Sequence, residues 1–400
     1  MRRPIVLMVL GLMVLPAPAA KRQTVAQLEQ ALTAASAAHK PAAEMVRLIA
    51  GVELSERLSE VTAERLNAQL NAGADVELSL ALLSDRSAFL DLPANELPAT
   101  AAPDQAAQLQ MFNAAGKFVV ETLPRLPNFL ATRTTIRYDD SPQEVTKGAW
   151  PVRAGLHAAG RSSREISVFG ERANASGGGE SGASEEQGGM ISWGEFGSVL
   201  GMIFSDSVNG KVSWSHWEDG PAGRSAVFHF SVPRSASHFE VVSSFQRLAS
   251  VEGFASRTPG ARASSLSARP NDNPGKTAVM HTSRAYEGSL WLDPATGTIL
   301  RITIEANSKD SSAFQWAEML VEYGVVDIGG SGFVCPVRSV AYSRTMLGAE
   351  TSMGNAASEW LNETLFTNYH RFVGTTRILT GADAAAPGTQ KPPDGNSKPQ

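Results

Sequence analysis

Two hydrophobic rhythms divide the chain. From Thr24 to Leu123 apolar residues recur at helical spacing, and from Asn128 onward they alternate every second residue. In the first part, Thr24 and Gln27 form a capping box before VAQLEQALTAASAAH, which predicts a helix there. A second helix is predicted over residues 42–50, stopping at Gly51, with Met45, Leu48 and Ile49 on one face. GVELSERLSEVTAERLNAQL continues as short helices, and a further one starts at Asp75 and runs through Leu83. Pro93, Pro98 and Pro103 mark an extended connector. Asp104 is a good N-cap for a helix over 105–123, where Leu109, Phe112, Gly116, Val119 and Val120 fall on one stripe. Pro124 and Pro127 end it.

In the second part FLATRTTIRYDD, SREISVFGE, KVSWSHW, SAVFHFSV, SHFEVVSSF, AEMLVEYGVVDIGG, FVCPVRSVAYSRTM and ETLFTNYHRF read as strands. Between them, GSLWLDPATGTILRITIEA reads as a hairpin. Leu290 and Leu292 share one side of its first strand, and Leu300, Ile302 and Ile304 share one side of its second. Asp293, Pro294 and Gly297 supply the turn. The mixed side carries Arg301 and Glu305 and is expected to meet water; the aliphatic side must meet a core or a cavity. One helix interrupts the strands: Ser192 and Glu195 form a capping box, and Phe196, Val199, Leu200, Ile203 and Phe204 follow at helical spacing. A helix this apolar must lie on the sheet or inside its curve. The predicted class is therefore α+β: a helical region over 20–123, then an antiparallel β-rich domain over 124–380. Flexible loops are expected at 173–189 and 256–276, and a disordered tail at 381–400.

Composition adds an address. Arg2 and Arg3 precede the apolar run from Ile5 to Leu15, and Ala17-Pro18-Ala19 matches a small-x-small cleavage site, so residues 1–19 read as a secretory signal peptide cut after Ala19. That run is too short to span a membrane. The expected location is periplasmic or secreted, with no transmembrane segment in the mature chain. The formal net charge is −5 and no Lys/Arg cluster stands out, which argues against a nucleic-acid partner. Cys335 is the single cysteine, so no internal disulfide can form, and its apolar surroundings make it a small buried hydrophobe.

Chemistry-bearing patterns are sparse. His216-Trp217-Glu218 and His238-Phe239-Glu240 place paired ligands on one strand face, but no third ligand is implied and no His-Glu-x-x-His occurs. His229 lies on the opposite strand face from Phe228 and Phe230. There is no Gly-x-Ser-x-Gly and no phosphate-binding loop, and the adjacent Asp139 and Asp140 point to opposite faces. These absences lead to the expectation of a non-catalytic protein without cofactor or metal. The aromatics suggest more. Phe196, Leu200 and Ile203 of the apolar helix, with Trp214, Phe228, Phe230, Leu290 and Leu292 of the strands, either line an apolar ligand cavity or form a solid core closed by that helix.

The hairpin EGSLWLDPATGTILRITIEA, followed by VEYGVVDIGGSGFVCPVRS and LFTNYHRF, resembles the LolA, LolB and RseB superfamily of periplasmic lipoprotein carriers. In that superfamily a strand, Asp-Pro-x-Thr-Gly, strand hairpin precedes a tyrosine, Gly-Gly, strand, Pro element; Gly329, Gly330 and Pro336 match. The resemblance covers the last third of the chain. It implies a curved antiparallel half-barrel that holds helices and an apolar, lipid-accepting cavity, and it carries over no specific binding residue. LPRLPNF, GEFGSVLGMIF and the hairpin also resemble a group of uncharacterised bacterial secreted proteins. The expected function is an exported cell-envelope protein that binds an acyl chain or lipoprotein. The alternative is an envelope scaffold that docks a protein partner through its helical region, for which exposed apolar residues such as Met45 or Leu48 would speak.

Overall fold

A computed structural model describes residues 22–121, 123–140, 155–169, 172–175, 195–220, 223–246, 277–307, 314–346 and 357–372. The expected signal peptide, the expected flexible insert 256–276, the expected disordered tail and nearly all of the expected loop 173–189 lie outside the described residues. Among the described residues no helix is long and apolar enough to cross a membrane.

Four helices come first: α1 (Val25–Ala37), α2 (Ala42–Ala50), α3 (Glu60–Leu70) and α4 (Ala74–Ser87). The α1 capping box is present in full, with the Gln27 amide donating to the Thr24 hydroxyl at 3.2 Å and the Thr24 amide to Gln27 Oε1 at 3.1 Å. The helix α3 is capped by Ser59 and closes on Asn71 in the left-handed region. These helices bury Leu28, Leu32, Ile49, Leu58, Leu66 and Leu80 in a core of their own. They form a module separate from α5 (Gln105–Glu121), which Asp104 caps at 2.8 Å. The expected helical region 20–123 is thus divided. Beyond the proline connector α5 leaves the module and joins the core of the sheet.

The strands are β1 (Phe129–Asp139), β2 (His157–Phe169), β3 (Arg172–Ala175), β4 (Lys211–Gly220), β5 (Gly223–Val232), β6 (Glu240–Gln246), β7 (Thr277–Ser283), β8 (Tyr286–Leu292), β9 (Ile299–Asn307), β10 (Phe314–Asp327), β11 (Gly332–Met346) and β12 (Ala357–Arg371). A helix, α6 (Ser198–Ser207), separates β3 from β4. Among the described residues, ten strands make one curved, unclosed antiparallel sheet, ordered β3-β2-β1-β12-β11-β10-β9-β8-β5-β4. The fold is α+β, with a half-barrel-like sheet. The run is a meander except at two points. β1 pairs with the last strand, and β6 and β7 leave the sheet as a separate two-stranded ribbon.

Helices cover both faces of this sheet. On the first face Phe228, Phe230, Leu290, Ile302, Ile304, Met319 and Val321 meet α5 and α6. On the second face Leu320, Val340, Tyr342 and Leu361 meet Leu82 and Ala88 of the helical module.

Several local expectations change. The hairpin side bearing Arg301 and Glu305 does not face open water, because α4 and the residues after it lie across it: Arg301 Nη2 donates to the Ala88 carbonyl at 3.1 Å. A bulge between Trp291 and Leu292 sets Leu292 opposite Ile299, so Ile299 joins Ile302 and Ile304 inside while Leu300 is only half-buried. The buried stripe of α5 is Met111, Ala115, Phe118 and Val119, whereas Leu109 and Val120 are 60% and 73% exposed. The helix is rotated by the demands of the sheet beneath it. The helix α6 starts at Ser198 after Gly197, not at the Ser192–Glu195 box. Ser192 lies outside the described residues, and Glu195 is buried 3.7 Å from Arg133.

Candidate functional site

The eight candidate lining residues are brought together. Phe196, Leu200, Ile203, Phe228, Phe230, Leu290 and Leu292 are all buried in one cluster, and Trp214 packs against it half-buried. Strand alternation explains the gathering. Phe228 is the register partner of both Trp214 and Leu290, so the three point to one face across β4, β5 and β8. The helices fill the space above them. The Phe112 ring of α5 sits 5.2 Å from Phe204 of α6 and 5.8 Å from Phe228. Phe196 meets Phe129 and Phe366 at 5.6 and 5.2 Å. Among the described residues, α5 and α6 pack their side chains onto this face.

The hairpin turn helps seat α5. Asp293 Oδ1 accepts from the amides of Ala295 and Thr296, and Gly297 takes a φ of +73°. A Cβ on Gly297 would lie 2.4 Å from the carbonyl carbon of Ala114, so the turn rests directly on the helix backbone. Only glycine fits.

The second face carries the polar chemistry. Glu218 on β4 accepts from Arg57 at 2.5 Å, from Trp291 Nε1 at 2.8 Å and from His216 Nε2 at 3.3 Å. Burial alone would raise this carboxyl; the His216 bond, the Arg57 charge and the Trp291 bond outweigh it and hold it at about 2. The guanidinium groups of Arg57 and Arg301 lie against the Trp291 ring, 5.5 and 4.8 Å from its centroid. Burial, with the Arg57 charge adding, lowers Arg301 to about 10. Further along, Arg338 on β11 reaches Asp85 of α4 at 2.5 Å and Glu363 of β12 at 2.8 Å. Of this set the sequence marks His216 and Glu218 as a strand-face pair and Arg301 as a residue of the hairpin's mixed side. The remaining partners come from distant segments and have no local signature.

A cleft of about 140 Å³ opens at the far end of this face, beneath α4 and residues 52–54. Val52, Leu54, Leu83 and Phe89 line one wall; Trp316, Tyr342, Glu305, Glu318 and Glu359 line the other. Tyr342 donates to Glu359 at 3.0 Å.

The remaining candidates fall elsewhere. His238, 77% exposed in its side chain, stands 2.5 Å from the buried Asp206, which also accepts from Tyr286 at 2.9 Å. His238 follows the end of β5 near which Tyr286 pairs, and His216 lies toward the other end. The histidines therefore do not converge. Next to Glu218 on β4, Asp219, not one of those candidates, pairs with Arg224 on the surface. The Glu240 side chain lies outside the described residues. Among the described residues no three His, Cys, Asp or Glu side chains are placed to hold a metal ion. Burial pushes the Cys335 thiol up to about 12, far from the thiolate form that reacts.

The chain matches no protein-family model, no curated protein and no solved structure.

Proposed function

We propose that this chain is a non-catalytic binding protein of the cell envelope that takes an apolar chain, the acyl chain of a lipid or lipoprotein, onto the first face of its sheet. The observation that carries the reading is the nature of the cover. An unclosed sheet presents an apolar surface from β5 to β10, and what lies on it is two helices from separate segments. Helices laid on a sheet share no backbone ladder with it, so they can lift without breaking strand pairing. Each buried methylene contributes about 0.8 kcal/mol, so an acyl chain can replace the side-chain contacts that α5 gives up. For the scaffold alternative, Met45 is buried in the helical module and Leu48 packs on the same core, whereas Val61, Leu78, Leu109 and Val120 are exposed.

The test is native mass spectrometry of the purified chain with a saturated fatty acid and with a phospholipid, paired with hydrogen exchange. A bound lipid with faster exchange in α5 is the expected result. No uptake of either lipid, with α5 exchange unchanged, removes the reading and sends the search to protein partners.

A further inference from the structure

Three glutamates stand side by side on the second face of the sheet. Glu305 on β9 is the cross-strand partner of Glu287 on β8 and of Glu318 on β10. Opposed side chains on antiparallel strands lie about 5 Å apart at Cβ, where like charges repel. Glu287 is exposed, whereas Glu305 and Glu318 are half-buried and line the cleft under α4 and residues 52–54.

The surrounding cations are committed elsewhere. Arg86 of α4 lies 3.9 Å from Glu359 on β12 and bonds Tyr342 on β11. Arg344 of β11 lies 3.8 Å from Glu359 and stacks on Trp316. Arg301, on β9 itself, is held by Ala88 and Trp291. Arg22 faces Glu53 in the open, and Asp85 of α4 is bonded to Arg338, which also lies 3.7 Å from Glu322 on β10. Among the described residues neither Glu305 nor Glu318 has a cation within ion-pairing distance. Asp91, just after α4, adds a further negative charge facing Glu305.

We propose that Glu305 and Glu318 form a pH-operated latch between the helical module and the sheet. With both protonated, α4 and residues 52–54 stay closed on the second face; with both ionised, that end of the module lifts and the cleft opens. The latch does not depend on apolar-ligand binding, which concerns the other face.

The direction follows from burial. It raises Glu305 to about 7, with the Glu287 and Asp91 charges adding, and Glu318 to about 8, with Glu305 and Glu359 adding. Lifting hydrates both groups and returns them to the ordinary 4.5. Between about 4.5 and 8 the closed state therefore binds more protons than the open one. Closure weakens as pH rises through that window, by up to about tenfold per carboxyl per pH unit.

Hydrogen exchange of the full chain at pH 5.5, 7 and 8.5, corrected for the intrinsic pH dependence of exchange, tests the latch. Protection of residues 52–54 and of the last turns of α4 should fall about tenfold or more from the lowest to the highest pH, while α6 stays unchanged. The E305Q/E318Q variant, neutral at every pH, should keep its low-pH protection at pH 8.5. Protection independent of pH in the unaltered chain, or an equal fall in the double variant, overturns the proposal. Should the double variant not fold, E318Q alone decides: a pH slope reduced by about half supports the latch, and an unchanged slope overturns it.

Discussion

Arg57, just ahead of α3, reaches across to Glu218 on β4, 161 residues away in sequence, and closes to 2.5 Å. Both side chains are largely buried, and Trp291 is bonded to the carboxylate and stacked against the guanidinium. Removing one partner of such a pair leaves the other charge buried without compensation, which costs about 3 to 5 kcal/mol. R57A is expected to lose about that much in urea unfolding. The R57M/E218L double variant is expected to recover most of it, because two apolar groups carry no desolvation penalty. A double variant as unstable as R57A would mean that Arg57 acts through the Trp291 ring instead.

Glu218 also predicts an acid limb of stability. Its folded value of about 2 lies below the ordinary 4.5, so the unfolded chain binds more protons between these values. The contribution is present in full above pH 4.5 and is lost as pH falls toward 2, about 3 kcal/mol in all. Unfolding midpoints measured from pH 6 to 2.5 should fall less steeply in E218Q than in the unaltered chain. Parallel limbs in the two would place the acid sensitivity elsewhere.

Local signals were legible and long-range ones were not. The capping box of α1, the bounds of α2 and the shared side of Ile302 and Ile304 in β9 depend on neighbours in sequence and were readable, whereas the bulge that puts Ile299 inside in place of Leu300 was not. The pairing of β1 with β12, where Thr135 meets Thr364, spans 229 residues and leaves no mark on either strand. Trp214, Phe228, Phe230, Leu290 and Leu292 share one side because strand period fixes it, and Phe196, Leu200 and Ile203 pack on them from α6 and the turn before it. What fills the space above them was not readable, because it turns on how α5 is rotated, and Met111 and Ala115 face the sheet where Leu109 and Val120 were expected. The second face misled for a different reason. Arg301 and Glu305 look like water-facing residues, and only a second module laid across them makes them interior. The Glu305–Glu318 pairing needs the β9–β10 register, which no single strand contains.

The turn of the β8–β9 hairpin gives a sharp test of how α5 is held. G297A would place a methyl 2.4 Å from the Ala114 carbonyl carbon and force alanine to a φ of +73°. The left-handed backbone costs about 1 kcal/mol and the clash about 1 to 3 more. The expected outcome is a loss of about 2 to 4 kcal/mol in denaturant unfolding, together with faster hydrogen exchange in α5. A loss confined to the hairpin, with α5 protection intact, would show that the turn does not brace the helix.

Asp206 and His238 have the outline of a catalytic dyad, but Asp206 is buried while the His238 side chain is mostly exposed, and the contacts of the carboxylate give it a structural role. Asp206 is buried in α6, where it accepts from the Tyr286 hydroxyl at 2.9 Å and from the His238 backbone amide at 2.9 Å. The carboxylate therefore ties α6 to β8 and to the segment after β5. D206A leaves the buried Tyr286 hydroxyl without its partner, a cost of about 1 to 3 kcal/mol. H238A removes the imidazole contact to Asp206 Oδ1 but leaves the backbone bond and the Tyr286 bond in place, so it should cost less than D206A. Thermal unfolding of the two variants separates the roles. A large loss for D206A with little for H238A marks a structural tether, whereas equal losses would make the imidazole itself part of what holds α6.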